Sequence, residues 1–287
     1  MNTLKSVILL AALSAILVWC GGAFGGQQGA VIALVVAGVM NFASYWWSDK
    51  IVLKMYKAQE VDENSAPQIY ADVRELAHNA GLPMPRVYIV PEEAPNAFAT
   101  GRSPSHSAVA VTRGIVKLLD RHELKGVLAH ELAHIKNRDI LVGSIAATIA
   151  AAISYIAWMA QFAAIFGGGG GRDGRNNVFV LLAMAIVAPL AATIVRLAIS
   201  RTREFGADRE GAAICMNPMF LADALRKMDH FAKRIPFNVS EQAAESTEHM
   251  MIVSPVIGGG FAKLFSTHPP TGERIKRLEQ MAMGGVG

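Results

Sequence analysis

The residues best placed to do chemistry are His130, Glu131 and His134, in the run His130-Glu131-Leu132-Ala133-His134. On a helix each residue turns about 100°, so the two histidines stand about 40° apart on one face and can share one ion, with Glu131 in the same arc beside it. Two neutral imidazoles suit Zn²⁺, a third protein ligand completes the set, and a fourth position is left for a water whose pKa the ion lowers toward 7. Glu131 then takes the proton of that water as it attacks a carbonyl and passes it to the leaving amine. The alternative is a charged helix face with incidental histidines. It sits badly with the start signal of this helix, Asp120 and Glu123 at capping-box spacing, and with its apolar Leu124, Val127, Leu128 and Ile135.

A third ligand must come from elsewhere. The run from Ser200 to Ala212 places two carboxylates, Glu204 and Asp208, four residues apart on a predicted helix. One can bind the ion while the other holds a ligand histidine by its second ring nitrogen. The alternatives are surface pairs, Glu204 with Arg201 or Arg203 and Asp208 with Arg209. His134 lies six residues before a long apolar run and Glu204 four residues after the next one. At 1.5 Å per residue both stand within roughly 10 Å of a membrane surface if the helices continue, and two antiparallel spans bring them together.

The elements that must do this positioning are largely apolar. Hydrophobic residues make up 52% and charged residues 17% of the 287, and mean hydropathy is +0.32. Such values exclude a disordered, fibrous or ordinary soluble chain and point to a polytopic membrane protein. Two cysteines, Cys20 and Cys215, exclude a disulfide-stapled scaffold. The net charge of +4 does not argue for a nucleic-acid partner, because nearly all the Lys and Arg flank apolar runs, where membrane orientation explains them.

Residues 6–24, 29–48, 140–166 and 178–200 each approach or exceed the roughly 20 apolar residues a spanning helix needs. The first reads as a retained anchor, since a single Lys5 precedes it and another span follows at once. The loop 25–28 has no Lys or Arg and the Gly-rich loop 167–177 has two, whereas 49–139 carries twelve and 201–287 eleven. Positive residues stay inside, so both polar blocks and both termini are expected in the cytoplasm. The chain divides accordingly into spans one and two (1–48), a first cytoplasmic block (49–139), spans three and four (140–200) and a second block (201–287).

In the first block, helical spacing runs over 66–81, short strands over 86–90 and 107–111, and a third extended segment over 96–100. A helix over 113–119 capped by Thr112 is expected next, then one running to Asp139 through the two histidines. The second block offers helices over 204–215, 218–233 and 271–283, with a polar loop around 238–249 and a short apolar stretch at 250–265.

Three features resemble the HtpX-type membrane metalloproteases, relatives of the CAAX prenyl proteases. They are His130-Glu131-x-x-His134 ahead of one span, Glu204-Phe205-x-Ala207-Asp208 after the next, and Thr267-His268-Pro269-Pro270 followed by Glu273-Arg274-Ile275. The resemblance covers nearly the whole chain, span placement included. It implies a multi-pass membrane protein with four transmembrane α-helices and a mainly helical α+β, gluzincin-like zinc protease domain. The implied activity is endopeptidase action at the bacterial inner membrane, on the cytoplasmic side, in stress-related quality control of membrane proteins. It also implies one Zn²⁺ per chain held by His130, His134 and Glu204, with Glu131 as the base and Asp208 behind a ligand histidine.

Asn96-Ala97 resembles the edge-strand Asn-Ala with which zinc peptidases hold a substrate peptide as an added strand, although an ordinary turn residue fits Asn96 as well. His268 is either a donor to the oxyanion of the tetrahedral intermediate or a histidine preceding a Pro-started helix. A scaffold with a structural zinc has no need of Glu131. A metal transporter places its ligands at midplane, whereas spans three and four contain no His, Asp or Glu. The expected partners are the lipid bilayer and unfolded or membrane-protein substrates that reach an edge strand near it; the oligomeric state stays open.

Overall fold

A computed structural model describes residues 2–143, 145, 201–232, 252 and 269–284. Span four, nearly all of span three, the Gly-rich loop, the loop at 238–249, most of 250–265 and His268 lie outside the described residues.

Helix α1 (Asn2–Met55) takes in the first two apolar runs. Gly26 breaks it into two arms with φ 58° and ψ −148°, a backbone state open mainly to glycine. The turn is therefore tighter than the four-residue loop expected. The arms fold back on each other: the Asn41 amide donates to Ser14 Oγ at 2.8 Å and to the Leu10 carbonyl at 3.4 Å. Among the described residues, the segment Gly26–Met55 is the one helix long and apolar enough to cross a membrane. Its exposed side chains are large and apolar (Val31, Ile32, Leu34, Val35, Val39, Phe42), whereas Ala37, Ser44 and Ser48 are buried. Small and polar inside, greasy outside is the distribution of a helix whose solvent is lipid. Trp46 and Trp47 follow toward its C-terminal end, and the Arg102 guanidinium lies 4.5 Å over the Trp46 ring.

The second arm runs beyond residue 48 because its last turns have a protein partner. Val52, Leu53 and Tyr56 pack on Tyr88, Val90, Phe98, Ala108 and Ala110 of the sheet. That sheet has the order β1 (Gln59–Val61), β2 (Arg86–Val90), β4 (His106–Thr112), β3 (Ala97–Ser103). Strands β2 and β4 are parallel; β1 and β3 run antiparallel to their neighbours. The alternate residues Val87, Ala97, Ala99, Val109 and Val111 join the main core with α2 (Pro67–Ala80) and α4 (Arg121–Lys136). Covering both faces is what makes these strands read as unbroken apolar runs. The three-residue β1, Gln-Glu-Val, has no such run and escapes sequence reading.

Helix α3 (Arg113–Leu118) opens on Thr112, whose hydroxyl accepts from the Ile115 N–H at 3.2 Å. Helix α4 opens on the expected capping box: Asp120 Oδ1 accepts from the Glu123 N–H at 3.0 Å, and Glu123 Oε2 accepts from the Asp120 N–H at 2.9 Å. It stops short of Asp139, where it was expected to end. The helix ends at Lys136, Arg138 takes φ 57°, and helical structure resumes at residue 139. Among the described residues three further helices follow, α5 (Arg201–Ile214), α6 (Pro218–Ala232) and α7 (Thr271–Ala282), with α5 and α6 packed on α4 and α7 on both of them. Gly211 permits the close approach of α5, since a Cβ there would lie 2.9 Å from the His130 nitrogen.

Candidate metal centre

One turn of α4 separates His130 from His134, and their Nε2 atoms are 3.2 Å apart. Glu204, in the first turn of α5, places Oε2 3.7 Å from His130 Nε2 and Oε1 3.5 Å from His134 Nε2. Asp208, one turn further along α5, accepts from His130 Nδ1 at 3.0 Å. Asp139 Oδ2 stands 3.2 Å from His134 Nδ1, brought there by the backbone reversal at Arg138. Both Nδ1 atoms are thus engaged by carboxylates, and both Nε2 atoms point at a common centre that Glu204 closes.

The electrostatics ask for positive charge at that centre. Burial holds His130 far below the ordinary imidazole value, at about 4, against the opposing pull of Asp208. Burial acts the same way on His134, but the hydrogen bond it donates to Asp139 and the charges of Glu204 and Glu131 outweigh it and lift this ring to about 9. A proton on His134 or a metal ion can supply the charge, and metal binding displaces such protons. Ligand atoms around a tetrahedral Zn²⁺ at 2.0–2.1 Å stand roughly 3.3 Å apart. The 3.2 Å between the two Nε2 atoms is close to that figure, and each has one Glu204 oxygen at 3.5 or 3.7 Å, so two imidazoles and a carboxylate converge as the ion requires, and His130, His134 and Glu204 form a possible metal site.

Glu131 is 2% exposed beside this cluster. Burial raises its carboxyl to about 7, while the His134 charge and the Ala99 N–H, which donates to it, pull the other way. The Ala99 contact places the carboxylate against β3, the edge strand of the sheet. Asn96 and Ala97, at the head of that strand, are both buried. Asn96 Oδ1 accepts from the Ala97 N–H at 3.0 Å and the Ile252 N–H at 3.1 Å, and the Ala97 carbonyl accepts from the same Ile252 N–H at 3.3 Å. The Asn96 amide oxygen is therefore spent on the chain's own backbone. His268 lies outside the described residues.

The surface pair weighed for Asp208 is not what forms, and Glu204 is buried. Asp208 is 3% exposed and held by His130 and Arg274, while Arg209 is exposed. Arg203 reaches Asp139 at 3.9 Å. Two residues of the cluster were given no role by the sequence reading. Asp139 was hidden by the expectation of an unbroken helix. Arg274 is 1% exposed and forks onto Asp208, with Nε to Oδ2 at 2.9 Å and Nη2 to Oδ1 at 2.6 Å. Burial works to raise the Asp208 carboxyl, yet the Arg274 charge and these hydrogen bonds hold it below the usual carboxylate range. A signal for Arg274 was present: it precedes the buried Leu278 by one helical turn, an inward position where a cation needs a partner.

Residues 63–282 match peptidase family M48. A protein described as a protease HtpX homolog from Syntrophotalea carbinolica is 56% identical over 99% of this chain and 100% of its own length. Homologs of the same description from Desulforapulum autotrophicum and Paraburkholderia phytofirmans are 53% and 54% identical, covering 100% and 99% of this chain and 92% and 98% of theirs. Among solved structures, the crystal structure of S. mikatae Ste24p aligns with a TM-score of 0.50 at 17% identity, over 97% of this chain and 65% of that one, a likeness of fold.

Proposed function

The chain belongs to peptidase family M48 and is a metalloprotease, and from that premise we propose that it is a zinc endopeptidase of the bacterial inner membrane that cleaves misfolded or damaged membrane proteins on the cytoplasmic side. The observation that carries the reading is the meeting of His130, His134 and Glu204 around one centre with Glu131 buried against them. A helix that only had to hold an ion would gain nothing from a buried carboxylate at 131. In the proposal His130, His134 and Glu204 hold Zn²⁺, which when bound polarises water and the scissile carbonyl.

Each remaining role falls to a residue of this chain. Asp208 and Asp139 keep the two ligand rings in the orientation that presents Nε2. Glu131 removes the proton of the attacking water and returns it to the departing amine nitrogen. The substrate lies along the outer edge of β3 as an added strand, close to the Ala99–Glu131 contact, with Asn96 and Ala97 shaping the head of that edge. His268 donates to the developing oxyanion. Four spans, with both polar blocks and both termini in the cytoplasm, are supported by the Lys and Arg count of the loops. That topology sets β3 near the inner interface, where segments leaving the bilayer arrive.

The test is proteolysis of casein by the detergent-solubilised chain, with a chelator and then with Zn²⁺ added back. Cleavage lost to the chelator and restored by zinc supports the proposal; cleavage indifferent to chelation removes it.

A further inference from the structure

The guanidinium of Arg274 carries more constraint than an ordinary ion pair. Two of its nitrogens form a fork on Asp208, and a third, Nη1, donates to the Ile252 carbonyl at 3.1 Å, so the plane of the group cannot rotate about the fork. The Asp208 oxygen that receives Nη2 at 2.6 Å also receives His130 Nδ1 at 3.0 Å. A guanidinium and a carboxylate have one chemical option each here, donor and acceptor, so His130 Nδ1 is the donor and Nε2 keeps its lone pair for the metal. We propose that Arg274 is the positioning residue of the metal centre, fixing the ring of His130 through Asp208 from a helix that supplies none of the ligands named here. The inference rests on the metal-site reading above and deepens it.

The charge of Arg274 does further work that a neutral residue cannot. Asp208 and Glu204 bring two carboxylates to one buried cluster beside Glu131. Arg274 touches the first and lies 3.9 Å from the second through Nη1. Without the guanidinium Asp208 loses the fork that fixes its plane, and a carboxylate free to turn no longer holds the ring of His130. Lysine at this position keeps the charge but has no fork.

The experiment uses the full-length chain in detergent. Zn²⁺ affinity is measured by competition with a chromogenic chelator, and the visible spectrum is recorded with Co²⁺ in place of zinc. Arg274→Ala is expected to weaken zinc binding by about 10- to 100-fold and to shift the cobalt bands, with Arg274→Lys between it and the unaltered chain. Combined with Asp208→Asn, Arg274→Ala is expected to add little, because both act on the same ring. Leu278→Ala removes a buried side chain from the same helix without touching Asp208. It should lower the melting temperature yet leave zinc affinity within about twofold.

Equal loss of zinc affinity in Leu278→Ala and Arg274→Ala would reduce Arg274 to a packing residue and overturn the proposal. So would full additivity with Asp208→Asn, or an Arg274→Ala chain that binds zinc as well as the unaltered one. An unaltered chain that takes up no zinc would instead bring down the metal-site reading itself.

Discussion

Glu131 concentrates the chemistry that a single substitution can expose. Its carboxyl is raised to about 7 by burial, so the proposed base is ionised only as pH climbs through that value, and kcat/KM should rise with pH through an acid-limb midpoint no higher than about 7. A bound cation pulls the midpoint lower by favouring the carboxylate. Glu131→Gln keeps the shape and removes the base: casein cleavage should fall by about 10²- to 10⁴-fold while zinc content stays at one ion per chain. Retained cleavage would exclude Glu131 as the base. At this scale His130 and His134 were readable because helical periodicity puts residues four apart on one face, whereas the choice of Glu204 over Asp208 came from the family resemblance. Asp139 and Arg274 were not, since their contacts depend on a left-handed residue at 138 and on packing between segments 66 positions apart.

Elements were legible where local chemistry punctuates them. The capping box of α4, the Thr112 cap of α3 and the apolar strands all follow from neighbouring residues, and Asp120→Ala should cost about 1 kcal/mol in a thermal or denaturant unfolding measurement. What local pattern does not encode is how closely two helices approach. At Gly211 a methyl group meets the His130 backbone at 2.9 Å, so α5 must move away from α4 and carry Glu204 and Asp208 with it. Gly211→Ala should therefore weaken zinc binding at least several-fold even though alanine is the better helix former; unchanged affinity would mean the helices have slack. The end of α4 was misjudged for the same reason. Arg138 can take φ 57° because the tertiary contact of Asp139 with His134 holds the reversal in place.

For the whole molecule, the metal is expected to act as a folding ligand as well as a reagent. Its donors come from α4 and α5, two helices far apart in the sequence, so zinc at about 1,000 times its dissociation constant should add about 4 kcal/mol to stability. The check is a melting temperature that falls on chelation and recovers on adding zinc back. Composition and loop charge made the membrane character plain, and the tight Gly26 hairpin sharpens it. The sequence boundary at residue 48, however, treats the bilayer and the protease as separate compartments, and the chain does not respect it. Asp49 pairs with Arg86 at 2.7 Å, and Arg86 in turn donates to the Tyr88 hydroxyl at 3.0 Å.

The last turns of α1 therefore belong to two solvents at once, and that governs how the chain can be cut down. A fragment starting at residue 58 would present Tyr88, Val90, Phe98, Ala108 and Ala110 bare to water and should self-associate in size-exclusion chromatography. One starting at residue 49 carries its own stopper of Val52, Leu53 and Tyr56 and should elute at a smaller size.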